Sequence, residues 1–388
     1  METKEQITES GAAEAPRSKI KIWYTLLTAL VSLALTAGLL LVLLGTSGIR
    51  DNTISVNTDI PDIYDMYLTG QISTVLEGIV PVKRIYRLSD SDLVAPKPNQ
   101  ACYGQTDDPA AMQEVLDAAA ELLNGQQTLF TTETPVLAGT TISYYLDESI
   151  LAITWKQRVD DNTYTFAEVK IAHASQFRRY LSGGKYNSGT HHTTSEMAES
   201  VNAVVASSGD FYGYRSCGVV VLNGLVYREK GQWMDTCYID ENGDLLFTRT
   251  GEITDKEAAQ KFVDDNNIRF SLCFGPVMIQ GGKCCVPYNY SFGEINDKYA
   301  RAALCQLDTL HYVVVDANYE HSRNETPTVR QFAKNLVAMG IPTAYALDGG
   351  QTATIVLNNQ VINRVSYGAQ RSISDILYFA TAIPEDRH

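Results

Sequence analysis

Short apolar runs separated by polar turns dominate the chain after about residue 136. Three early runs are rich in β-branched and aromatic side chains, which favour strands: 141–145, 149–155 and 163–171. Later runs pair around tight turns, and Asn223-Gly224 is the strongest signal because Asn-Gly fits a type I′ turn. Similar turns follow at 241–243 and 358–359. The pattern predicts an α+β fold with a mixed, mostly antiparallel sheet and few helices.

Two helices are predicted from their boundary residues. Asp108 can cap a helix over 109–123, where Pro109 suits the first turn and Asn124-Gly125 can end it. The stretch Thr254-Asp-Lys-Glu257 has the form of a capping box for a second helix that runs to about residue 265.

A third predicted helix leads into the most informative segment of the chain. Thr326-Pro327 opens this helix and Gly340 ends it. Five apolar residues at helical spacing line one of its faces: Val329, Phe332, Ala333, Leu336 and Val337. The strand that follows is predicted to end at Asp348, which is followed at once by Gly349 and Gly350. A last apolar run, 376–382, is predicted to be a closing strand.

The N-terminal part has a different pattern. Residues 22–49 carry no charge, and 22–44 are long enough to span a bilayer of about 30 Å, whereas a signal peptide has a shorter apolar core. Basic residues are concentrated before this run, so the positive-inside rule predicts a cytoplasmic N-terminus and an extracellular C-terminal domain in the cell membrane. The predicted segments are a cytoplasmic tail (1–21), a transmembrane helix (22–45), a stalk (46–60), an extracellular region of unknown role (61–140) and a main domain (141–388).

Charge and cysteine content narrow the class of partner only slightly. The net charge of −14 is a poor match for nucleic acid, which requires basic surfaces. The seven cysteines contain no C-x-x-C pair, which argues against a zinc ribbon and a thioredoxin motif. An oxidising exterior would permit disulfides, and buried free thiols are an equal alternative.

Several catalytic classes receive little support from the sequence. None of the six histidines lies in H-E-x-x-H, so no metal site is predicted and no cofactor is required. Ser182-Gly-Gly-Lys185 matches the S-x-x-K pattern of some serine hydrolases, but the partner K-T-G motif is missing and glycines would break the helix. A thiolate nucleophile at Cys217 would need a base that no local feature supplies.

Carboxylates and arginines make a stronger case. Asp210 and Asp348 each follow an apolar strand and adjoin glycine, while Arg301 and Arg371 stand at the edges of apolar segments. Cleavage of a glycosyl phosphodiester needs an acid or base, together with cations or N–H groups for the phosphate oxygens.

Several segments, in order, resemble the phosphodiester glycosidase family, over roughly residues 160–382. Residues 346–356, Ala-Leu-Asp-Gly-Gly-Gln-Thr-Ala-Thr-Ile-Val, are similar to the family's L-D-G-G-G-S-S-T-M core. Further similar segments are Val204–Tyr212, the hairpin at 218–228, Phe274–Met278, Arg301–Gln306 and Asn363–Asp375. Gln351 stands where the family has a third glycine, and Ser208 stands where it has asparagine.

The resemblance implies a cleft in the main domain and assigns its residues. Asp348 and Asp210 would be catalytic. The implied substrate-binding residues are Arg301, Gly349, Gly350, Thr352, Thr354, Asn363, Arg371 and Ser374, with the arginines holding phosphate. The implied partner is a carbohydrate or sugar-phosphate polymer, and the implied activity is phosphodiester glycosidase hydrolysis of a surface glycan or cell-wall polymer. The alternative is a non-catalytic glycan-binding or cell-envelope assembly protein that keeps the fold.

Overall fold

A computed structural model describes residues 86–291 and 293–385 of the 388-residue chain. The strands in these ranges are β1 (Tyr103–Thr106), β2 (Ile142–Leu146), β3 (Ile150–Val159), β4 (Asn162–Ile171), β5 (Phe177–Leu181), β6 (Val205–Ser208), β7 (Gly218–Leu222), β8 (Leu225–Lys230), β9 (Thr236–Asp240), β10 (Leu245–Thr248), β11 (Ile268–Leu272), β12 (Val277–Gln280), β13 (Lys283–Cys284), β14 (Arg301–Asp308), β15 (His311–Asn318), β16 (Thr343–Leu347), β17 (Ile355–Leu357), β18 (Gln360–Val361) and β19 (Asp375–Phe379). The α-helices are α1 (Pro109–Ala118), α2 (Ala120–Leu123), α3 (Thr194–Ser200), α4 (Lys256–Asp265) and α5 (Val329–Ala338).

The strands form three sheets. The largest has nine strands in the order β1-β2-β3-β4-β15-β14-β16-β12-β13. The second sheet has the order β10-β9-β11-β7-β8, and the third has the order β18-β17-β6-β19-β5. Neighbouring strands in the described ranges pair antiparallel, as in the long ladders between β3 and β4 and between β4 and β15. The predicted α+β class with antiparallel pairing is confirmed.

The nine-stranded sheet lies at the centre and is covered on both faces. On one face, Trp155 stacks on Phe166 with ring centroids 4.8 Å apart, in a core shared with α1 and α5. On the other face, Tyr312 of the large sheet contacts Phe177 of β5, and Phe177 also contacts Phe270 of β11. All three sheets therefore meet at Phe177. Coverage of both faces explains why the side chains of β4 and β15 are buried almost throughout, polar ones included.

The outer faces of the two smaller sheets are covered by helices. Met197 and Ala198 of α3 pack with Val356 and Tyr378 of the third sheet. Ala259 and Val263 of α4 pack with Val219 of the second sheet in the same way. Each helix buries the apolar stripe that its sequence presents.

The predicted hairpins at 223–224, 241–243 and 358–359 are confirmed by the pairs β7–β8, β9–β10 and β17–β18. Asp108 caps α1 as predicted, because its side chain accepts a hydrogen bond from Ala110 N at 3.0 Å. The predicted cap of α4 is wrong by one residue, since Asp255 rather than Thr254 accepts from Ala258 N at 2.8 Å.

The start of α5 also differs from the prediction. Thr328 and Gln331 form a reciprocal capping box, so the helix begins at Val329 and not at Thr326-Pro327. A residue that precedes proline is disfavoured in the helical region, which keeps Thr326 outside the helix.

Residues 86–140 contribute to the same sheet and core. Strand β1 pairs with β2 at the edge of the nine-stranded sheet, and Met112 of α1 is fully buried. The segment before β1 runs along the third sheet, where Arg178 of β5 donates to Ser89 O at 3.0 Å and Tyr378 of β19 donates to Leu93 O at 3.3 Å.

The predicted single-pass membrane location is corrected by the structure. No helix within 86–291 and 293–385 has the length and apolar character needed to cross a bilayer. The predicted tail (1–21), transmembrane helix (22–45) and stalk (46–60) lie outside the described residues.

Helix α5 offers a direct test of this packing. Phe332 is fully buried and contacts Tyr164 edge-to-face at 5.5 Å, so the change Phe332→Ala leaves a cavity between α5 and the large sheet. We expect the free energy of unfolding to fall by about 3–5 kcal/mol. The measurement is urea denaturation, with the exposed neighbour Lys334→Ala as the control. Equal stability of the two variants would contradict the packing described here.

Candidate functional site

Two strand ends from different sheets meet at the candidate site. Strand β6 of the third sheet leads to Gly209 and Asp210, and β16 of the large sheet leads to Asp348. Asp348 N donates to Gly209 O at 3.3 Å, and Ser208 N donates to Thr354 O at 3.1 Å. The structure therefore brings the two predicted catalytic carboxylates into neighbouring loops.

The turn after Asp348 requires its two glycines. A Cβ on Gly349 would lie 2.5 Å from the carbonyl oxygen of Ala300, which is closer than real Cβ contacts. Gly350 has a φ of +64° and donates to the same oxygen at 2.8 Å. These contacts hold the turn against the residue that precedes Arg301. Thr352 closes the turn because its hydroxyl donates to Gly349 O at 2.7 Å.

Asp348 has an unsatisfied carboxylate oxygen at this junction. Its Oδ2 atom is buried and accepts no hydrogen bond from the residues that the structure describes. Burial raises the pKa of Asp348 to about 6, against the opposing effects of Thr352 and of the positive charges of Arg215 and Arg371. The charge of Asp210 adds to the increase. A carboxyl group with such a pKa exchanges protons near neutral pH.

Asp210, in contrast, has every carboxylate oxygen occupied. Tyr212 N donates to Oδ1 at 2.7 Å, and Cys273 N donates to Oδ2 at 2.7 Å. The guanidinium of Arg179 lies 2.9 Å from Oδ2, and both side chains are 0% exposed. The Cys273 thiol also lies 3.3 Å from Oδ2, and burial raises its pKa well above the usual range.

Arg179 joins Asp210 to a third carboxylate. Its Nε atom lies 2.8 Å from Asp375 Oδ2, and its Nη1 atom donates to Ser271 O. Burial raises the pKa of Asp375 to about 8, opposed by Arg179 and reinforced by Asp210. One guanidinium therefore holds two buried carboxylates together with the end of β11.

Aromatic rings and arginines form a stacked cluster beside Asp348. Phe211 stacks on Tyr214 at 4.7 Å, and Arg371 lies 5.5 Å and 5.1 Å from the centroids of these two rings. The Arg215 guanidinium lies 4.7 Å from the Phe211 ring and 4.8 Å from the Phe274 ring. Both arginines act electrostatically on the Asp348 carboxylate. We call this group, Phe211, Tyr214, Arg215, Phe274 and Arg371, the aromatic–arginine cluster.

Two predicted substrate-binding residues make extensive contacts within the protein. Arg301 donates to the carbonyl oxygens of Glu294 (2.9 Å), Asp297 (2.5 Å) and Pro327 (3.3 Å). Asn363 accepts from Ile355 N at 2.8 Å and donates to the buried Asp316 at 2.5 Å. These contacts hold loops and the base of the β17–β18 hairpin.

The remaining predicted site residues line the junction of the same loops. Ser374 is buried, and its hydroxyl accepts from Gly213 N at 3.3 Å. The side chain of Thr354 is buried directly before β17. Asp210, Asp348, Gly349, Gly350, Thr352, Thr354 and Ser374 therefore lie around one junction, and Arg371 joins them through the aromatic–arginine cluster.

The S-x-x-K segment has a different geometry from that of a serine hydrolase. Ser182 is buried, and its hydroxyl lies 2.8 Å from His192 Nδ1, whereas Lys185 is exposed. Gly183 has a φ of +77°, so the segment turns instead of continuing as a helix. All seven cysteines, including the half-buried Cys217, are free thiols.

Sequence reasoning missed Arg179, Arg215 and the role of Asp375. A signal existed for Arg179, because Arg178 and Arg179 interrupt a strand of otherwise apolar and aromatic residues, and one of two successive strand side chains must face inward. Asp375 is the last residue of a segment that carried the family resemblance. No local pattern distinguishes Arg215 from an ordinary loop arginine.

Comparison with known proteins gives a family match and a distant relative for this chain. Residues 201–380 match the family model described as phosphodiester glycosidase. The SPbeta prophage-derived uncharacterized protein YomE of Bacillus subtilis (strain 168) is 22% identical over 202 residues, which cover 50% of this chain and 30% of that protein.

One solved structure supports the fold. The catalytic domain of zebrafish N-acetylglucosamine-1-phosphodiester alpha-N-acetylglucosaminidase, auto-inhibited by its pro-peptide, matches with a TM-score of 0.51 at 14% identity. This match covers 67% of the present chain and 92% of the zebrafish domain. A hypothetical protein from Synechocystis gives a TM-score of 0.44 at 12% identity and covers 62% of this chain and 64% of that one.

The Arg179 ion pairs predict a large stability effect. Arg179→Met leaves two buried carboxylates without their shared cation, so we expect the free energy of unfolding to fall by about 3–5 kcal/mol. Urea denaturation at neutral pH measures the change. Lys185→Met, which removes an exposed cation from the same region, is the matched control. An Arg179→Met variant as stable as this control would show that the ion pairs do not hold the site together.

Proposed function

We propose, from the match of residues 201–380 to the phosphodiester glycosidase family model, that the chain hydrolyses the bond between the anomeric carbon of a sugar and a phosphodiester group. The substrate class is a carbohydrate that carries such a linkage. Support for this reaction comes from the family match and from the environment of Asp348.

The unsatisfied oxygen of Asp348 is the observation that carries the proposal. A buried carboxylate oxygen without a hydrogen-bond donor is costly, and such exceptions are found where a ligand or a water molecule completes the site. The two neighbouring arginines favour the ionised carboxylate, and burial opposes ionisation. The result is a group that is ionised at neutral pH and can still accept a proton.

Asp348 is proposed to act as a general base. Its carboxylate takes a proton from a water molecule, whose oxygen forms a bond to the anomeric carbon. The bond between that carbon and the phosphate oxygen breaks, and the electron pair leaves with the phosphate group. A phosphate is a good leaving group when cations neutralise its oxygens. Activation of the attacking water therefore requires more from the catalytic carboxylate than protonation of the leaving group does.

The other predicted residues divide into two roles in this proposal. Arg371 and the N–H groups of the Gly349-Gly350 turn bind phosphate oxygens. Asp210, Arg301 and Asn363 position the loops, because their polar atoms make the internal contacts described above. Asp210 is therefore proposed to orient the site through Arg179 and not to transfer the proton.

Substitution of the base tests the proposal. Asp348→Asn keeps the shape of the side chain and removes its basicity, so we expect kcat for a sugar 1-(methyl phosphate) diester to fall by about 10²–10⁴-fold. Released sugar is the readout. Asp264→Asn, on the exposed face of α4, serves as the control. Full activity in the Asp348→Asn variant would exclude Asp348 as the base.

The pH dependence tests the direction of proton transfer. A general base must be deprotonated, so kcat/KM is expected to rise with pH and to level off above an apparent pKa of about 6. The charges that face this group are those of Arg215, Arg371 and Asp210. A profile that falls as the pH rises through 6 would instead assign Asp348 as a general acid.

Turnover also separates this proposal from the non-catalytic alternative. A protein that only binds glycans would bind the sugar phosphodiester with measurable affinity and would release no sugar from it. Binding without hydrolysis, for substrates that differ in sugar and in phosphate substituent, would therefore replace the enzymatic proposal with the binding one.

A further inference from the structure

Arg215 has the features of a preorganised anion-binding residue. Its guanidinium carbon lies 4.7 Å and 4.8 Å from the ring centroids of Phe211 and Phe274. Contact with aromatic rings suits the planar guanidinium, whose five N–H donors lie at its edges. The side chain is half-buried, which strengthens its electrostatic interactions relative to those of an exposed arginine.

The backbone of Arg215 is fixed by a second arginine. The buried guanidinium of Arg228 donates to the carbonyl oxygens of Arg215 (2.5 Å), Tyr212 (2.9 Å) and Gly218 (3.1 Å). These bonds hold the loop between β6 and β7 at several points. Contacts to its backbone and to two aromatic rings therefore restrict Arg215, so that less conformational entropy remains to be lost on binding.

The charge of Arg215 lies beside the proposed catalytic group. The positive charges of Arg215 and Arg371 both lower the pKa of Asp348, and Asp210 also acts on Arg215. Burial lowers the pKa of the Arg215 guanidinium, while these acidic groups oppose the decrease. A cation next to a base and facing the same junction is well placed for an anionic part of the substrate.

Arg301 does not compete for this role, because three carbonyl oxygens of its own chain engage its guanidinium. We propose that Arg215 binds the phosphate group of the substrate and, with Arg371, forms a two-arginine phosphate clamp on the aromatic–arginine cluster. This inference rests on the proposed function for the nature of the ligand, and it assigns the phosphate site to a residue outside the family segments.

Binding of inorganic phosphate to the purified full chain tests the inference without turnover. Titration calorimetry is expected to show phosphate binding that Arg215→Met weakens by about 10- to 100-fold, the loss expected for a charge-assisted hydrogen-bonding partner. Arg330→Met is the matched control, since Arg330 also stacks on a ring (Tyr288, 4.3 Å) and donates to a carbonyl oxygen (Val286). This control is expected to bind phosphate as the unaltered chain does.

A second variant protects the test against loss of folding. Arg215→Lys keeps the positive charge but lacks the planar fork, so its phosphate affinity is expected to fall between those of the unaltered chain and Arg215→Met. Unchanged affinity in both variants, or in Arg215→Lys if Arg215→Met fails to fold, would overturn the inference. The absence of phosphate binding to the unaltered chain would overturn it as well.

Hydrolysis of the sugar 1-(methyl phosphate) diester, measured in parallel, separates the two proposals. Arg215-dependent phosphate binding without hydrolysis would refute the proposed enzymatic function and keep the anion site. Hydrolysis with a KM that Arg215→Met and Arg215→Lys leave unchanged would keep the enzymatic function and refute the role of Arg215. An increase in KM for the diester in Arg215→Met, with the Arg330→Met value unchanged, would support both.

Discussion

The buried ion pairs of Arg179 constrain the rest of the site. One guanidinium contacts Asp210 at 2.9 Å and Asp375 at 2.8 Å, and all three side chains are 0% exposed. Charges removed from water carry a large desolvation penalty, which is offset only while they remain together with their hydrogen-bond partners. Strand β5, strand β19 and the loop after β6 are thereby tied at one point, and the bond from Arg179 to Ser271 O extends the tie to β11 in another sheet.

The ion pairs of Arg179 also explain why Asp210 and Asp375 differ from Asp348 in their contacts. Asp210 and Asp375 both form ion pairs with Arg179, whereas Asp348 forms no ion pair among the described residues and is affected by Arg215 and Arg371 at longer range. The oxygens of Asp210 are occupied by the Tyr212 and Cys273 amides and by Arg179, whereas Oδ2 of Asp348 is buried with no donor among the described residues. The Arg179–Asp210 ion pair in turn positions Phe211, which follows Asp210 directly and whose ring contacts the Arg215 guanidinium.

Short-range patterns predicted the local features well, and long-range partners were missed. The Asn-Gly hairpin, the apolar face of α5 and the strand that ends at Asp348 depend on neighbouring residues, and the structure contains all three. The partner of Arg179 is 196 residues away in sequence, and β1 pairs with β2 across the two helices α1 and α2. Neither pairing leaves a periodic signal, because each depends on which segments the folded sheets bring together. Capping residues were misplaced by one or two positions for a different reason, since several hydroxyl and carboxylate side chains in succession can each serve as a cap.

Arg301 and Arg215 show that similarity between sequence segments predicts the path of the backbone better than the contacts of a long side chain. A matched segment conserves the path of the backbone, and Arg301 does lie beside the Gly349-Gly350 turn, since both glycines contact Ala300 O. The direction of a long side chain is set instead by local acceptors, and the Arg301 guanidinium donates to three nearby carbonyl oxygens. Arg215 lies in a loop that carried no motif, yet two aromatic rings and the bonds from Arg228 fix its position. If Arg215 binds the phosphate as proposed, the cation of the site comes from a loop outside the matched segments, while Asp348 comes from a segment that carries the resemblance.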